Sequence, residues 1–155
     1  MNGTVIAPGD WRPGVAAEVE QGRTWLDLLT AVDRGDGIEL VLKIGDPTSG
    51  ASVVLTTRLD GDAPSVDSLV GLLPAAAWQE REIAEMFGVE FVGHPDPRPL
   101  LLRHIPDQPP LRRATPLPVR LDQMWPGAAG ATERRRSRAA TPPGVRTEWV
   151  EETRQ

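Results

Sequence analysis

The sequence predicts an α+β fold, a two-layer sandwich with an antiparallel-rich sheet and helices on one face, followed by a long proline-rich irregular C-terminal arm. Three observations predict it: apolar and polar residues alternate across 38–59, two amphipathic segments carry helix start and stop residues, and proline is unevenly spread. Five of the 16 prolines precede residue 95 and 11 follow. Proline removes a backbone donor and fixes φ, so the second part is poor material for regular helices or central strands.

Taken in order, Thr4–Ala7 reads as a short strand. A helix is expected from Trp11 to Gln21, with Asp10 as N-cap and Gly22 as stop. Trp25, Leu26, Leu28, Leu29 and Val32 then form an apolar stretch reaching Asp33, read as a strand around Leu28–Asp33. The tight turn Arg34-Gly35-Asp36-Gly37 joins it to the clearest strand, in which Ile38, Leu40, Leu42 and Ile44 point one way and Glu39, Val41 and Lys43 the other. After the turn residues Gly45-Asp46-Pro47-Thr48-Ser49-Gly50, the alternation of Val53, Leu55, Thr57 and Leu59 completes a β-hairpin. Pro64-Ser65 is expected to open a short helix through Leu73, with Ser65 as N-cap and Asp67 in the first turn. Pro74 starts a second helix, where its missing N–H costs nothing, and Gly88 ends it. Val89 and Phe91, alternating with Glu90 and Val92, form a brief last strand.

Charge follows the same division. The formal charge is −5, but residues 1–97 carry 6 basic and 16 acidic side chains, whereas 98–146 carry 10 basic and 3 acidic. We therefore divide the chain into an α+β domain at 1–97, an extended docking arm at 98–126, and a tail at 127–155 expected to be disordered or ordered only by a partner. An acidic body with a basic arm suggests docking on something acidic. Zero cysteines exclude disulfides, zinc–thiolate sites and the usual iron–sulfur ligation. No run of about 20 apolar residues is long enough to span a bilayer. The N-terminus lacks the basic start and apolar core of a signal peptide, so a cytoplasmic location is expected.

Residues 74–103 are the most informative. On a helix, Trp78, Glu82 and Glu85 share one stripe and Ala76, Ile83 and Phe87 another, while Arg81 is spaced to pair with Glu85. Glycine at 88 permits a left-handed turn into the last strand, and Gly93-His94-Pro95-Asp96 breaks that strand and launches the arm. Glu80, Arg81, Glu82, Glu85, Met86, Phe87, Gly88, Phe91, Gly93, His94, Pro95, Asp96 and Arg98 together resemble the signature of the 30-kilodalton-type subunit of respiratory complex I, the family of the NADH-quinone oxidoreductase C-type subunits. Weaker echoes are Leu29-Thr30-Ala31-Val32-Asp33 and Pro64-Ser65, so the resemblance covers roughly residues 25–116. The chain departs from the pattern at Glu85, where aspartate is usual, and at Pro99, where a second arginine is usual. It departs again at Leu111-Arg112-Arg113-Ala114-Thr115-Pro116, which lacks an acid and an aromatic.

The resemblance implies a non-catalytic structural subunit in the peripheral arm of a membrane-bound, proton-translocating NADH:quinone oxidoreductase. Such a subunit has no activity alone, docks on the large quinone-site subunit and neighbouring iron–sulfur subunits, and meets the cytoplasmic side of the membrane only through the complex. No cofactor is expected in this chain; NADH, flavin, iron–sulfur clusters and quinone belong to partner subunits. Partner-docking residues are expected to be Glu80, Arg81, Glu82, Glu85, His94, Asp96, Arg98, Arg112 and Arg113, with Trp78, Met86, Phe87, Gly88, Phe91, Gly93 and Pro95 as the structural motif. The alternatives are the equivalent subunit of an energy-converting nickel–iron hydrogenase or ferredoxin/formate-linked complex and, outside the family, a cofactor-free interaction module.

Sharper readings fare worse. His94, His104 and Asp96 are too few and too loosely held for a structural metal site. Glu82 and Glu85 have carboxylate-pair spacing but no partnering Glu-x-x-His. No serine stands in a nucleophile elbow. The run Glu133-Arg134-Arg135-Arg136-Ser137-Arg138 lacks interleaved aromatics in an acidic protein, which favours a solvated or protein-docking tail over nucleic acid, with anionic lipid a minor alternative.

Overall fold

The computed structural model describes residues 3–61, 63–103 and 106–116. These belong to a compact unit that runs through Leu117. The elements are β1 (Thr4–Val5), α1 (Trp11–Glu20), β2 (Trp25–Asp33), β3 (Ile38–Gly45), β4 (Ser52–Leu59), β5 (Ser65–Asp67), α2 (Ala76–Phe87) and β6 (Glu90–Val92). A four-stranded sheet has the order β1-β4-β3-β2, antiparallel except for the parallel β1–β4 pair. The architecture is the expected α+β arrangement with a mostly antiparallel sheet and few helices.

The strict alternation in β3 sets the core. Ile38, Leu40, Leu42 and Ile44 are all completely buried. Leu55, Thr57 and Leu59 of β4 and Leu29 and Ala31 of β2 bury the same face. Each such aliphatic side chain contributes about 1.5–3 kcal/mol on burial. Trp11 and Val15 of α1, and Ala76 and Ile83 of α2, join them in one cluster. The turn before β3 is closed by Arg34 N–H on the Gly37 carbonyl (2.9 Å) and Gly35 N–H on the Asp33 carboxylate (2.7 Å).

Asp10 stands at the N-cap of α1 as expected, but its carboxylate makes no capping bond; Pro8–Asp10 forms a 3₁₀ turn that already leads the chain into α1. Two local expectations are corrected. The helix expected from Ser65 to Leu73 is a strand followed by turns. Ser65 and Asp67 are exposed while Val66 is buried, a period-two pattern, and β5 pairs in parallel with β6 through Val66 opposite Phe91. The last strand thus joins β5 in a separate two-stranded sheet, not the main one. The cue misread was Pro-Ser, which opens a strand here because Val66 and Phe91 both need the core.

The second helix ends as expected. Gly88 has φ of +72°, and a Cβ at that position would stand 2.8 Å from Pro109 Cγ, so glycine is required both for the turn and for the approach of the arm. The arm does not leave the domain at Arg98: residues 98–103 and 106–116 are hydrogen-bonded back onto it. The remainder of the expected arm, the tail at 127–155 and His104 lie outside the described residues.

Candidate docking surface

The signature residues of α2, β6 and the following loop face in opposite directions and do different things. Glu80 points inward and is wholly buried. Its Oε1 accepts the Leu69 N–H (2.6 Å) and its Oε2 accepts the Ser68 hydroxyl (2.7 Å). Arg12 donates to the Ser68 carbonyl behind it. Burial pushes the Glu80 carboxyl above its ordinary value, opposed by Ser68, Leu69, His94 and Arg12. A carboxylate enclosed in this way ties α2 to the segment after β5 and is out of reach of a partner, which corrects the expectation that Glu80 docks.

His94 stands beside it, its side chain only 4% exposed and its Nε2 4.0 Å from Glu80. Nδ1 accepts the Asp96 N–H (3.0 Å), so Nε2 carries the proton toward the Ala77 carbonyl 3.1 Å away. With both nitrogens engaged, His94 fixes the turn that Gly93 (φ +79°) and Pro95 make after β6. A cavity of about 330 Å³ opens here, lined in part by Glu80, Arg81, Phe91, Val92, His94 and Pro97. Of its ionisable lining residues, Glu80, Arg81 and His94 already bond to protein, while Glu90 stands exposed at the edge.

The next group clamps the arm. Arg81 donates from Nε to the Arg98 carbonyl (2.8 Å) and from Nη2 to the Pro99 carbonyl (2.9 Å), with Asp96 3.4 Å from Nη1. Asp96 takes a two-pronged contact from Arg98 (2.6 and 2.8 Å), and this guanidinium above all holds its carboxyl well below the usual range. Glu85 accepts three consecutive backbone N–H groups, those of Leu100 (3.0 Å), Leu101 (2.7 Å) and Leu102 (2.7 Å). Desolvation raises the Glu85 carboxyl, but the three N–H groups and Arg81 together outweigh it and leave the value lowered. The expected Arg81–Glu85 ion pair is replaced by this arrangement: each side chain binds the arm's backbone instead of the other.

Further along, the arm closes the end of α2. Leu111 N–H donates to the Met86 carbonyl (3.0 Å) and Arg112 Nε to the Phe87 carbonyl (2.6 Å). Cationic donors suit a helix C-terminus, where carbonyls lack intrahelical partners. Arg113 N–H bonds to the Asp33 carboxylate (2.9 Å), and that bond first, with Gly35, lowers the Asp33 carboxyl. Met86 and Phe91 are buried, as a structural role requires, and Phe87 is half-buried. Trp78 and Glu82 remain fully on the outside, Trp78 at 67% exposure.

Sequence reasoning therefore found the residues but not the partners of their side chains. Arg12, Ser68 and the Leu100–Leu102 backbone escaped it because contacts between distant segments leave no periodic trace. Among the described residues no group of three or more His, Cys, Asp or Glu side chains is placed to hold a metal ion. No helix among them is long and apolar enough to cross a membrane.

Sheet, helices and clamp together define a small α+β domain with a strapped helix. The family model for the respiratory-chain NADH dehydrogenase 30 Kd subunit matches residues 5–120, and the chain belongs to that family. The J-type subunit of the NAD(P)H-quinone oxidoreductase of Prochlorococcus marinus is 36% identical over 107 residues, covering 57% of this chain and 58% of that protein. The C-type subunit of the NADH-quinone oxidoreductase of Moorella thermoacetica is 36% identical over 101 residues, covering 63% and 68%. The chain thus spans little more than half the length of the first of these relatives. The trypsin-resistant fragment (1-134) of Nqo5 superposes with a TM-score of 0.56 at 20% identity, over 59% of this chain and 79% of that one. A chain of the membrane-bound sulfane sulfur reductase, an archaeal respiratory membrane complex, gives 0.54 at 24% identity, over 68% and 64%. At these identities the structural likeness is one of fold.

Proposed function

We propose that this chain is a cofactor-free structural subunit of the peripheral arm of a membrane-bound NADH:quinone oxidoreductase. It docks on the large quinone-site subunit and its iron–sulfur neighbours, and meets the cytoplasmic face of the membrane through them. NADH, flavin, iron–sulfur clusters and quinone are then carried by those partners. The observation that carries this reading is the family match across residues 5–120. The site geometry supports it: the buried ionisable groups are engaged in internal bonds, a use that suits a scaffold. Within the proposed docking set, Glu82, Arg98 and Arg113 are exposed, while Arg81, Glu85, His94, Asp96 and Arg112 shape the strap that a partner meets.

Affinity purification of the tagged full chain from its native membranes tests the proposal. The expected result is co-purification with NADH-oxidising, quinone-reducing activity and with flavin and iron in other chains. Recovery of a nickel-bearing hydrogenase subunit, or of the chain alone, overturns it.

A further inference from the structure

We propose that Trp78 and Leu101 are the two apolar anchors by which this domain docks on a partner protein whose socket is flanked by a lysine or arginine. The inference rests on the preceding reading only in supposing that the domain docks within a larger assembly. Single exposed apolar side chains occur elsewhere on the domain, such as Trp25 of β2 at 65%, but Trp78 at 67% and Leu101 at 56% stand together beside the clamp. They are brought to one flank by helix geometry. Trp78 and Glu85 are seven residues apart, so they stand on nearly the same line of α2, about 10.5 Å apart. The Leu101 N–H is 2.7 Å from the Glu85 carboxylate, which sets Leu101 at the far end of that line.

Between the two lies Glu82, exposed and without an ion pair among the described residues. That carboxylate chooses the occupant. A cationic residue at the edge of an apolar socket would satisfy it, whereas anionic lipid headgroups would be repelled by it. An aromatic anchor in a desolvated pocket with such a rim is the usual core of a strong protein contact. The clamp gives this surface its stiffness. Arg81 holds the Arg98 and Pro99 carbonyls and Glu85 holds the next three N–H groups, so Leu101 is presented on a strap already fixed before docking. Arg81 and Glu85 are thereby positioning residues, and the contacts are made by their neighbours.

The test compares variants of the tagged full chain, each measured for thermal melting alone and for co-purification from native membranes. Trp78→Ala is expected to melt like the parent but to be recovered in the assembly at least about tenfold less, the effect of losing a hot-spot anchor. Leu101→Ala is expected to weaken recovery in the same way, and Glu82→Lys to weaken it more than Glu82→Gln. Recovery of Trp78→Ala at the parent level overturns the proposal, as does a fall in its melting temperature that matches its loss of recovery. Parent-level binding of the isolated chain to phosphatidylglycerol vesicles through Trp78, or self-association abolished by Trp78→Ala, overturns the choice of occupant. If the parent co-purifies with a different membrane assembly and Trp78→Ala loses it, the anchors stand while the quinone oxidoreductase reading falls.

Discussion

The three long strands and the segment from α2 to the arm are held by opposite kinds of force. In β2–β4 the fixing contacts are apolar: a row of completely buried aliphatic residues on β3 packs against its neighbours on both sides. From residue 76 to 116 one side still joins the apolar core through Ile83, Val89 and Phe91, but the path of the chain is set by polar contacts across it, with Glu80, Arg81, Glu85, Asp96 and Arg112 each bonding to a backbone group or a facing side chain. Apolar packing is non-directional and tolerates rearrangement, whereas a carboxylate aimed at three N–H groups specifies one path for the chain. The sheet thus supplies stability, and the strapped helix supplies a surface of fixed shape.

The largest effect that sharpens this contrast is in the sheet. Leu42→Ala removes a completely buried side chain from the centre of β3 and is expected to cost about 2–5 kcal/mol of global stability. Denaturant unfolding measures it. A cost below about 1 kcal/mol, or one confined to the strap, would mean that the sheet is not the stabilising half.

Arg81→Ala comes next. Its guanidinium is largely enclosed, with a side chain only 16% exposed, and loses three contacts at once. Hydrogen bonds to charged groups are each worth about 1.5–3 kcal/mol, but the strap can partly relax into water, so a net loss of about 1–3 kcal/mol is expected. Its character should be local: trypsin cuts faster at Arg103, Arg98 being protected by the proline that follows it, while the sheet melts nearly as before. Arg81→Lys should restore little, because a single ammonium cannot reproduce the guanidinium fork. A uniform loss of protection across β2–β4 would erase the distinction between the two halves.

The contrast also explains what the sequence disclosed. The period-two pattern of Ile38, Leu40, Leu42 and Ile44 exists because one face of β3 is buried and the other is not, so burial is written directly in residue order. The same logic located α2 and its stop at Gly88. Ser65–Asp67 was too short for its period to be told from the start of a helix, and Pro-Ser pulled the reading the wrong way. At the site, residue types were legible and directions were not. Glu80 and Glu82 are two apart on one helix, yet one is wholly buried and the other exposed. What buries Glu80 is Ser68 and Leu69, on a segment whose return to α2 depends on β5 meeting β6.

Acid should loosen the strap before the sheet. The carboxyls of Glu85, Asp96 and Asp33 all lie below their ordinary values in the folded state, so their contribution is present above the unfolded values and is lost as pH falls through the folded ones. Amide resonances of Leu100, Leu101 and Leu102 should therefore titrate with Glu85 at a pH below the ordinary glutamate range. Resonances of Leu40 and Leu42 should stay in place over the same interval. Simultaneous movement of both sets would show that strap and sheet unfold as one unit.

The smallest effect reverses that sign within the same helix. Burial raises the Glu80 carboxyl, so the folded protein holds its proton more tightly than the unfolded chain does. Its contribution is fully present below the unfolded value and is lost as pH rises through the raised folded one. Glu80→Gln removes this dependence while retaining the shape. The amide oxygen can accept the Leu69 N–H, and the amide NH₂ can donate to Ser68 Oγ, which already accepts from the Val70 N–H (3.2 Å). The variant should match the parent within about 1 kcal/mol at neutral pH. Relative to the parent, its stability should improve as pH rises from the ordinary glutamate range through the raised folded value, and level off above it. Denaturant melts of both proteins across that range decide the matter. If the difference runs the other way, the ionised form of Glu80 is the one that the fold prefers, and the bonds from Leu69 and Ser68 then outweigh its burial.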